Sequence, residues 1–252
     1  MRMIAVMNQK GGVGKTTTTL NLAHALALAG KSVTVIDMDP QAHLTASFGA
    51  EMKMQSGIDE VLLGESDIND VRVKVRDKLQ LIPAGTRLGE LEQVATGGAR
   101  RGWLLSDAVK GLPGQDFVLI DCPPSSGMLT MNAMLAAKEM LIPVAGDYLS
   151  LHGLSRLLNI LKHIETRLKH ATKKWMVVTR FHGRRKLANE VRGKLMDYFP
   201  GQVLATPIRE TVALAESPSF GQTIFEYQKS SNGAKDYLEL ADDLLKGRTF
   251  IK

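Results

Sequence analysis

The chain has 252 residues, of which 44% are hydrophobic and 5% are aromatic, so it can build a large aliphatic core. Its single cysteine, Cys122, excludes an intramolecular disulfide and a cysteine-based metal cage within one chain, and it fits a reducing compartment. No signal-peptide core is visible, and no apolar run approaches the roughly 18 residues of a membrane span. We therefore expect a cytoplasmic protein that makes no membrane contact.

The net charge of +6 is unevenly distributed along the chain. Between Arg156 and Lys194 the sequence has 12 lysine and arginine residues against two acids, Glu165 and Glu190, so this stretch carries +10. The remainder of the chain therefore carries −4. Such an asymmetry indicates either a polyanionic partner or a solvated helical face, and composition alone leaves both interpretations open.

Short apolar runs alternate with helical patterns, which is typical of βαβ units and a mainly parallel sheet. The first run, 3–7, precedes a glycine-rich loop and a helix over 15–29 that Gly30 ends. Further strands are predicted at 32–37, 79–82, 117–121, 141–144 and 175–179, and further helices at 186–198 and 234–245. Helical spacing also predicts a long amphipathic helix built on Leu151, Leu154, Leu158, Leu161, Ile164 and Leu168. The least regular stretch is 49–102.

The glycine-rich loop has the layout of a phosphate-binding loop, because it joins an apolar strand to a helix that opens with Gly14-Lys15-Thr16-Thr17. Its glycines let backbone N–H groups turn inward around phosphates, and the helix N-terminus adds a positive dipole end. Lys15 is predicted to reach the β- and γ-phosphates of ATP, and the Thr16 hydroxyl to bind Mg²⁺. The alternative is a glycine turn that merely precedes a helix. The predicted nucleotide-binding residues are Lys10, Gly11, Gly12, Val13, Gly14, Lys15, Thr16 and Thr17.

The loop departs from the ordinary P-loop pattern, since Gln9 stands where that pattern has a glycine and a second lysine, Lys10, follows it. The segment KGGVGKT resembles the deviant Walker A box of the ParA/MinD ATPases. In that family the extra lysine crosses a two-fold interface to the ATP of the partner subunit. The resemblance implies that Lys10 makes ATP binding and homodimer formation one event. The alternative is a solvated loop lysine.

Three aspartates lie at or just beyond the ends of predicted strands, where the ligands of parallel sheets bind. Asp37 and Asp39 belong to a DxDPQ segment that looks like the first switch of the ParA group, which implies that Asp39 helps to position the attacking water and contacts the metal ion. Asp37 is interpreted as structural or as bound to the metal through water, and turn-forming aspartates are the alternative. Asp121 ends a Walker B-like strand and is predicted to hold Mg²⁺, and Cys122 is interpreted as a packing residue.

The resemblance extends over nearly the whole chain and favours the ParA group. The segments 143–154, 214–221 and 224–227 look like its post-strand segment and its C-terminal signature. We therefore expect one α/β P-loop domain over 1–252, with a mainly parallel twisted sheet, helices on both faces and no N-terminal helix-turn-helix extension. A MinD-like ATPase that acts on a membrane or protein partner without DNA is the alternative, but the last predicted helix is acidic. One cysteine excludes a nitrogenase-reductase type, and the switch segment argues against a metabolic ligase.

The resemblance to the ParA group also implies a function. Such ATPases hydrolyse ATP slowly, bind non-specific DNA as ATP dimers, and release it when a ParB-like or cargo-adaptor protein stimulates hydrolysis, which partitions or positions a cargo on the nucleoid. Arg184, Arg185 and Lys186 match a basic position that the family uses for DNA, with Lys173 and Lys174 as helpers. Glu210 and Ala213 stand where relatives commonly have arginines, which removes positive charge from a second expected DNA contact.

Overall fold

The computed structural model describes residues 1–50, 56–93, 99–147, 158–159, 161–162, 166 and 170–250. Its strands form one seven-stranded sheet in the order β3-β4-β2-β5-β1-β6-β7, in which all neighbours are parallel except β3 and β4. The strands are β1 (Arg2–Val6), β2 (Val33–Asp37), β3 (Val73–Arg76), β4 (Leu79–Ile82), β5 (Phe117–Asp121), β6 (Glu139–Ala145) and β7 (Lys173–Thr179). The predicted α/β class with a mainly parallel sheet is confirmed.

Helices cover both faces of this sheet. They are α1 (Lys15–Leu28), α2 (His43–Ser47), α3 (Ile58–Leu63), α4 (Leu88–Gln93), α5 (Leu104–Ala108), α6 (Met128–Ala136), α7 (Lys186–Tyr198), α8 (Val212–Glu216), α9 (Ile224–Tyr227) and α10 (Asn232–Lys246). Short 3₁₀ turns lie at Ala99–Trp103, Val109–Gly111 and Ser217–Phe220. The predicted helices at 15–29, 186–198 and 234–245 are confirmed to within two residues at each end.

The side chains of β1 alternate between two buried clusters, as the pleat of a strand requires. Met3 and Ala5 join the cluster that α6 and α7 cover, whereas Ile4 and Val6 join the cluster that α1 and α10 cover. Both faces of the central strands are therefore buried, which explains their continuous apolar sequences.

The irregular stretch of the sequence contains a strand that the sequence analysis did not predict. Strand β3 pairs antiparallel with β4 and forms one edge of the sheet. Its sequence alternates valine with lysine and arginine. This period of two indicates an edge strand with one solvent-exposed face. The predicted long amphipathic helix lies mostly outside the described residues. Within it, Leu158 and Leu161 are helical, and Leu161 is fully buried.

The register of the central strands determines where the candidate site forms. Val6 pairs with Asp121 across β1 and β5, and Asp37 pairs with Asp121 across β2 and β5. The loops that follow these three strands therefore begin side by side at the carboxyl edge of the sheet. This edge is where parallel α/β sheets bind their ligands.

Candidate functional site

The loop after β1 has the backbone of a phosphate cradle. Gly12 and Gly14 adopt left-handed conformations with φ of 73° and 86°, which are unfavourable for residues that carry a β-carbon. Lys15 begins α1 directly after Gly14. Val13 is buried between these glycines, and its carbonyl accepts a hydrogen bond of 2.7 Å from the Thr179 hydroxyl at the end of β7. The cradle is thus attached to the sheet on its outer side and opens at a helix N-terminus, which suits it to an anion.

Lys15 is a nearly buried cation at the base of this cradle. Its side chain is 8% exposed, and its Nζ lies 3.4 Å from the carbonyl oxygen of Lys10. Burial lowers the pKa of Lys15, while the nearby carboxylates of Asp121 and Asp39 act against that shift. The ammonium group is therefore held at the cradle by the Lys10 carbonyl.

Asp121 is fully buried and accepts two hydroxyl hydrogen bonds from α1. Thr16 Oγ1 donates to its Oδ2 at 2.7 Å, and Thr19 Oγ1 donates to its Oδ1 at 3.0 Å. Burial, together with the neighbouring Asp37 carboxylate, raises the pKa of Asp121 to about 8. Hydroxyl and carboxylate oxygens are the hard donors that Mg²⁺ prefers, and a cation beside this buried carboxylate would favour its ionised form. The residues present therefore fit a magnesium ion held by Thr16 and Asp121.

The two switch aspartates have different surroundings. Asp37 is fully buried. Its Oδ2 accepts hydrogen bonds of 2.9 Å and 2.8 Å from the backbone N–H and the hydroxyl of Thr45, which lies in α2. Burial raises the pKa of Asp37 to about 6 against these hydrogen bonds. Asp39 is 9% exposed, and its Oδ1 accepts the Gln41 N–H at 3.0 Å. The geometry favours the structural interpretation of Asp37 and leaves Asp39 beside Lys15.

Lys10 is held within its own subunit. Its Nζ lies 2.6 Å from Asp147 Oδ1, two residues beyond β6, and the two side chains are 28% and 44% exposed. Its backbone N–H donates to Asn8 Oδ1 at 3.1 Å, and buried Asn8 itself bonds to the Pro143 carbonyl. The sequence analysis did not identify Asp147. The signal was available, since Asp147 lies two residues after an apolar strand, as Asp39 does.

A cleft of about 220 Å³ adjoins the cradle. Gly12, Gly14 and Thr17 form one wall, and Ile208, Leu214 and Tyr237 supply apolar surface on the other side. At its rim Arg180, in a left-handed conformation with φ of 49°, donates two hydrogen bonds to Glu210 at 3.0 Å and 2.9 Å. Space beside the loop, with apolar walls, matches what the base and ribose of a nucleotide need. Thr17 is thereby placed at the cleft.

The basic cluster Arg184–Lys186 lies at the start of α7 and is exposed. Arg185 is the residue before the helix and Lys186 its first residue, so their charges add to the positive end of the helix dipole. Helix α7 follows β7, whose end contacts the phosphate cradle through Thr179. Glu210 neutralises Arg180 rather than adding a free negative charge, and Ala213 is buried.

The remaining features limit other kinds of site. Cys122 is buried, and burial raises its pKa well above the usual value, so it is the packing residue that the sequence indicates. Over the described ranges, no group of three His, Cys, Asp or Glu side chains is arranged to hold a metal ion. In the parts of the chain that the structure describes, no helix combines the length and apolar character that a membrane crossing needs.

Comparisons with known proteins agree with this geometry. Residues 1–174 match a family model described as an AAA domain. The sporulation initiation inhibitor protein Soj of Bacillus subtilis is 37% identical over 96% of this chain and 98% of its own length. A chromosome partitioning protein ParA of Myxococcus xanthus is 37% identical over 98% of this chain and 89% of its own length. A cobyrinic acid a,c-diamide synthase from Mycobacterium smegmatis, solved with bound ADP and magnesium, is 31% identical and superposes with a TM-score of 0.85 over 100% of both chains.

Proposed function

The chain belongs to the ParA/Soj group of P-loop ATPases within the AAA-domain family, and from this we propose that it is a nucleotide-switched ATPase that positions a cargo. The cargo is a plasmid, a chromosome or a large protein complex. One observation carries the proposal. A deviant phosphate cradle, which includes Lys10, and an exposed basic helix start both lie at the carboxyl ends of the sheet strands. The partition relatives are 37% identical in sequence to this chain, whereas the synthase is 31% identical.

In this proposal the cradle from Lys10 to Thr17 binds Mg-ATP. The left-handed glycines present backbone N–H groups to the phosphates, and buried Lys15 pairs with the β- and γ-phosphates. Thr16, Asp39 and Asp121 would hold the magnesium ion, which would neutralise phosphate charge when bound. The base and ribose occupy the adjoining cleft beside Thr17.

Lys10 leaves Asp147 when two ATP-bound subunits meet and contacts the nucleotide of the partner. A lysine supplied from across an interface neutralises phosphate charge and fixes the two subunits together, so dimerisation depends on ATP. Asp39 then orients the attacking water. Because each site is completed only in the dimer and the cradle from Lys10 to Thr17 contains no arginine, we expect slow intrinsic hydrolysis.

The ATP dimer binds non-specific DNA through Arg184, Arg185 and Lys186. Lys173 and Lys174, which the sequence analysis named as helpers, begin β7, whereas the cluster follows the end of that strand, so the two lysines lie at the opposite end of β7 from the cluster. The contacts of the cluster go to phosphates, so they carry no sequence preference and weaken with salt. A ParB-like or cargo-adaptor protein stimulates hydrolysis, and the resulting ADP monomers leave the DNA. In the cell the protein would then cycle between the cytoplasm and the nucleoid.

The first experiment measures the anisotropy of a labelled random-sequence DNA duplex in three samples. These are the wild-type protein with ADP, the wild-type protein with ATP, and the Asp39→Ala variant with ATP. Light scattering on the same samples reports the oligomeric state. We expect tight, salt-sensitive DNA binding with ATP only, and an ATP dimer that persists in Asp39→Ala. Binding that is equally tight with ADP would contradict a nucleotide switch.

Two lysine variants separate the roles of the cradle. Lys15→Ala should abolish nucleotide binding, whereas Lys10→Ala should bind ATP with near wild-type affinity but stay monomeric. Labelled-nucleotide titrations and light scattering measure the two properties separately. An ATP-dependent dimer of Lys10→Ala would show that this lysine does not act across the interface.

The second candidate is a MinD-like positioning ATPase that acts on a membrane or protein partner without DNA. The Arg180–Glu210 ion pair favours it, since the resemblance leads us to expect an arginine where Glu210 stands and this pair neutralises the local charge. ATP-dependent dimerisation with no DNA binding in any nucleotide state would support this candidate. Sedimentation with anionic liposomes would then separate a membrane from a protein partner.

A further inference from the structure

Glu92, in α4, joins that helix to the loop that follows β5. Its Oε1 accepts the Ser125 hydroxyl at 2.8 Å, and its Oε2 accepts the backbone N–H of Leu129 at 2.9 Å. Leu129 is the second residue of α6, so this N–H has no partner within its own helix. A carboxylate at this position also interacts favourably with the positive end of the helix dipole. Glu92 therefore caps α6 from outside.

The approach of Glu92 depends on a glycine. A side chain at Gly127, the residue before α6, would overlap the Glu92 carboxylate. The Ser125 carbonyl in turn accepts the Thr130 hydroxyl at 2.8 Å, which closes the end of the loop against α6. The segment 122–127, which we call the second switch loop, is thus fixed at its far end by α4 and at its near end by buried Asp121 and Cys122.

The first switch segment, 37–41, approaches the same face of α4, one turn before Glu92. A β-carbon added at Gly89 would be 3.8 Å from Pro40 Cβ, so Pro40 lies close to this turn of the helix. Ahead of α4, the Ala84 N–H points to the Thr45 hydroxyl at 3.4 Å, and Thr45 donates to Asp37. Helix α4 is anchored in the core by Leu88 and Leu91, which are 0% and 4% exposed. It therefore lies as a packed element against the two loops that face the nucleotide.

We propose that Glu92 is a positioning residue that couples the two switch segments through α4. Its carboxylate holds the second switch loop in register with a helix that also packs on Pro40, so a shift of either segment on ATP binding moves the other. This inference rests on the proposed ATPase function and adds a residue that touches neither nucleotide nor metal. Without the cap, each switch segment responds to ATP alone and the attacking geometry forms less often.

The test compares Glu92→Ala with Glu92→Gln and with the matched control Glu90→Ala. Glu90 is exposed on the same helix, and within the described residues its side chain makes no hydrogen bond or ion pair, so the control removes the same charge without the cap. We expect Glu92→Ala to lower kcat for ATP hydrolysis at least tenfold with KM within twofold of wild type. Glu92→Gln keeps an acceptor oxygen for Leu129 and should recover at least a third of the rate. Glu90→Ala should match wild type.

Hydrogen exchange measured by mass spectrometry tests the coupling directly. In nucleotide-free protein, Glu92→Ala should speed exchange in 127–131 at least tenfold. When ATP is added, wild type should gain protection in both switch segments, and Glu92→Ala should keep the gain in 37–45 but lose it in 122–131. Equal effects of Glu90→Ala and Glu92→Ala, a KM change without a kcat change, or full protection in both segments of Glu92→Ala would overturn the coupling.

The controls distinguish this inference from the proposed function. If wild type neither hydrolyses ATP nor gains protection on adding it, while Lys15→Ala behaves identically, the proposed function fails. If wild type responds to ATP and Glu92→Ala responds in the same way, only the role of Glu92 fails. Thermal unfolding of every variant identifies any that is misfolded, and Glu92→Gln then carries the test.

Discussion

Lys10 has two mutually exclusive partners at the residue scale. Within one subunit its ammonium group pairs with Asp147, whereas the proposed dimer needs it at the nucleotide of the other subunit. The ion pair is therefore part of the cost of dimerisation. Because both side chains are partly exposed, each such pair is worth about 0.2–1 kcal/mol, and a dimer loses two of them.

The prediction is that Asp147→Ala strengthens ATP-dependent dimerisation by roughly two- to thirtyfold, since two pairs no longer have to break. Nucleotide affinity of the monomer should not change. Sedimentation velocity over a concentration series with ATP measures the dimer constant, and Lys10→Ala/Asp147→Ala provides the control in which the gain disappears. A weaker dimer in Asp147→Ala would mean that this carboxylate orients Lys10 for the partner.

The protonation of Asp121 gives a pH dependence to stability. Its pKa is about 8 in the folded protein and 3.8 is the ordinary value, so the folded state holds one more proton between these limits. The stability that the group contributes is therefore present at low pH and is lost as the pH rises towards 8, after which it is constant. The pKa of Asp37, about 6, places its own loss at lower pH.

We predict that the free energy of unfolding of the nucleotide-free protein falls as the pH rises from 6.5 to 8. In that range Asp121 is protonated in the folded protein and ionised in the unfolded chain. Urea unfolding at half-unit pH intervals measures the trend, and Asp121→Asn should flatten it. Saturating Mg-ADP should also flatten the trend, because an ion held by the Asp121 carboxylate keeps it ionised in the folded state, so folded and unfolded forms then bind the same number of protons. An unchanged slope in Asp121→Asn would assign the pH dependence to another group.

At the scale of elements, the connection between β4 and α4 depends on one glycine. Gly85 has φ of 78°, and a side chain there would overlap the carboxylate of Asp59. Asp59 is 2% exposed and accepts the N–H groups of Glu60 and Arg87, both at 2.8 Å. The close approach of Gly85 therefore holds α3 next to the start of α4.

Gly85→Ala should destabilise the protein by roughly 3 kcal/mol, because it combines left-handed strain with displacement of a buried hydrogen-bonded carboxylate. Gly64→Ala is the matched control. Gly64 has nearly the same φ, 77°, but open space around its α-carbon, so we expect the left-handed penalty of about 1 kcal/mol alone. Chemical denaturation gives both values. Equal losses in the two variants would show that Asp59 moves aside without cost.

The sequence predicted those elements whose signals are contiguous. The phosphate cradle is one run of residues, and Asp37 and Asp121 end apolar strands whose parallel pairing follows from the alternation of strands and helices. Strand β3 was not predicted because it is short, basic and lies beside a hairpin turn. Glu92 could not be assigned from the sequence, since its partner Ser125 is 33 residues away and the fold alone brings the two together. The position of Asp147 after an apolar strand was a usable signal, but its pairing with Lys10, 137 residues away, was not.

At the scale of the whole molecule, the sheet order separates two basic surfaces. The Arg184–Lys186 cluster follows β7 at one edge of the sheet, and Lys74 and Lys78 lie on the β3–β4 hairpin at the opposite edge. Both surfaces are exposed, so net charge alone would attract a polyanion to either one. Only the first is connected to the phosphate cradle, through the bond from Thr179 to Val13. The two surfaces therefore offer a test in which charge is constant and position differs.

Arg184→Ala/Arg185→Ala and Lys74→Ala/Lys78→Ala each lower the net charge of the chain from +6 to +4. If phosphates contact the start of α7, the first pair should reduce the slope of log K against log salt by about 1.8 per subunit, at roughly 0.9 for each lost contact to a duplex. The second pair should leave the slope close to wild type. Anisotropy titrations with ATP at four salt concentrations measure both slopes. Equal reductions would mean that DNA responds to overall charge and that α7 is not the docking surface.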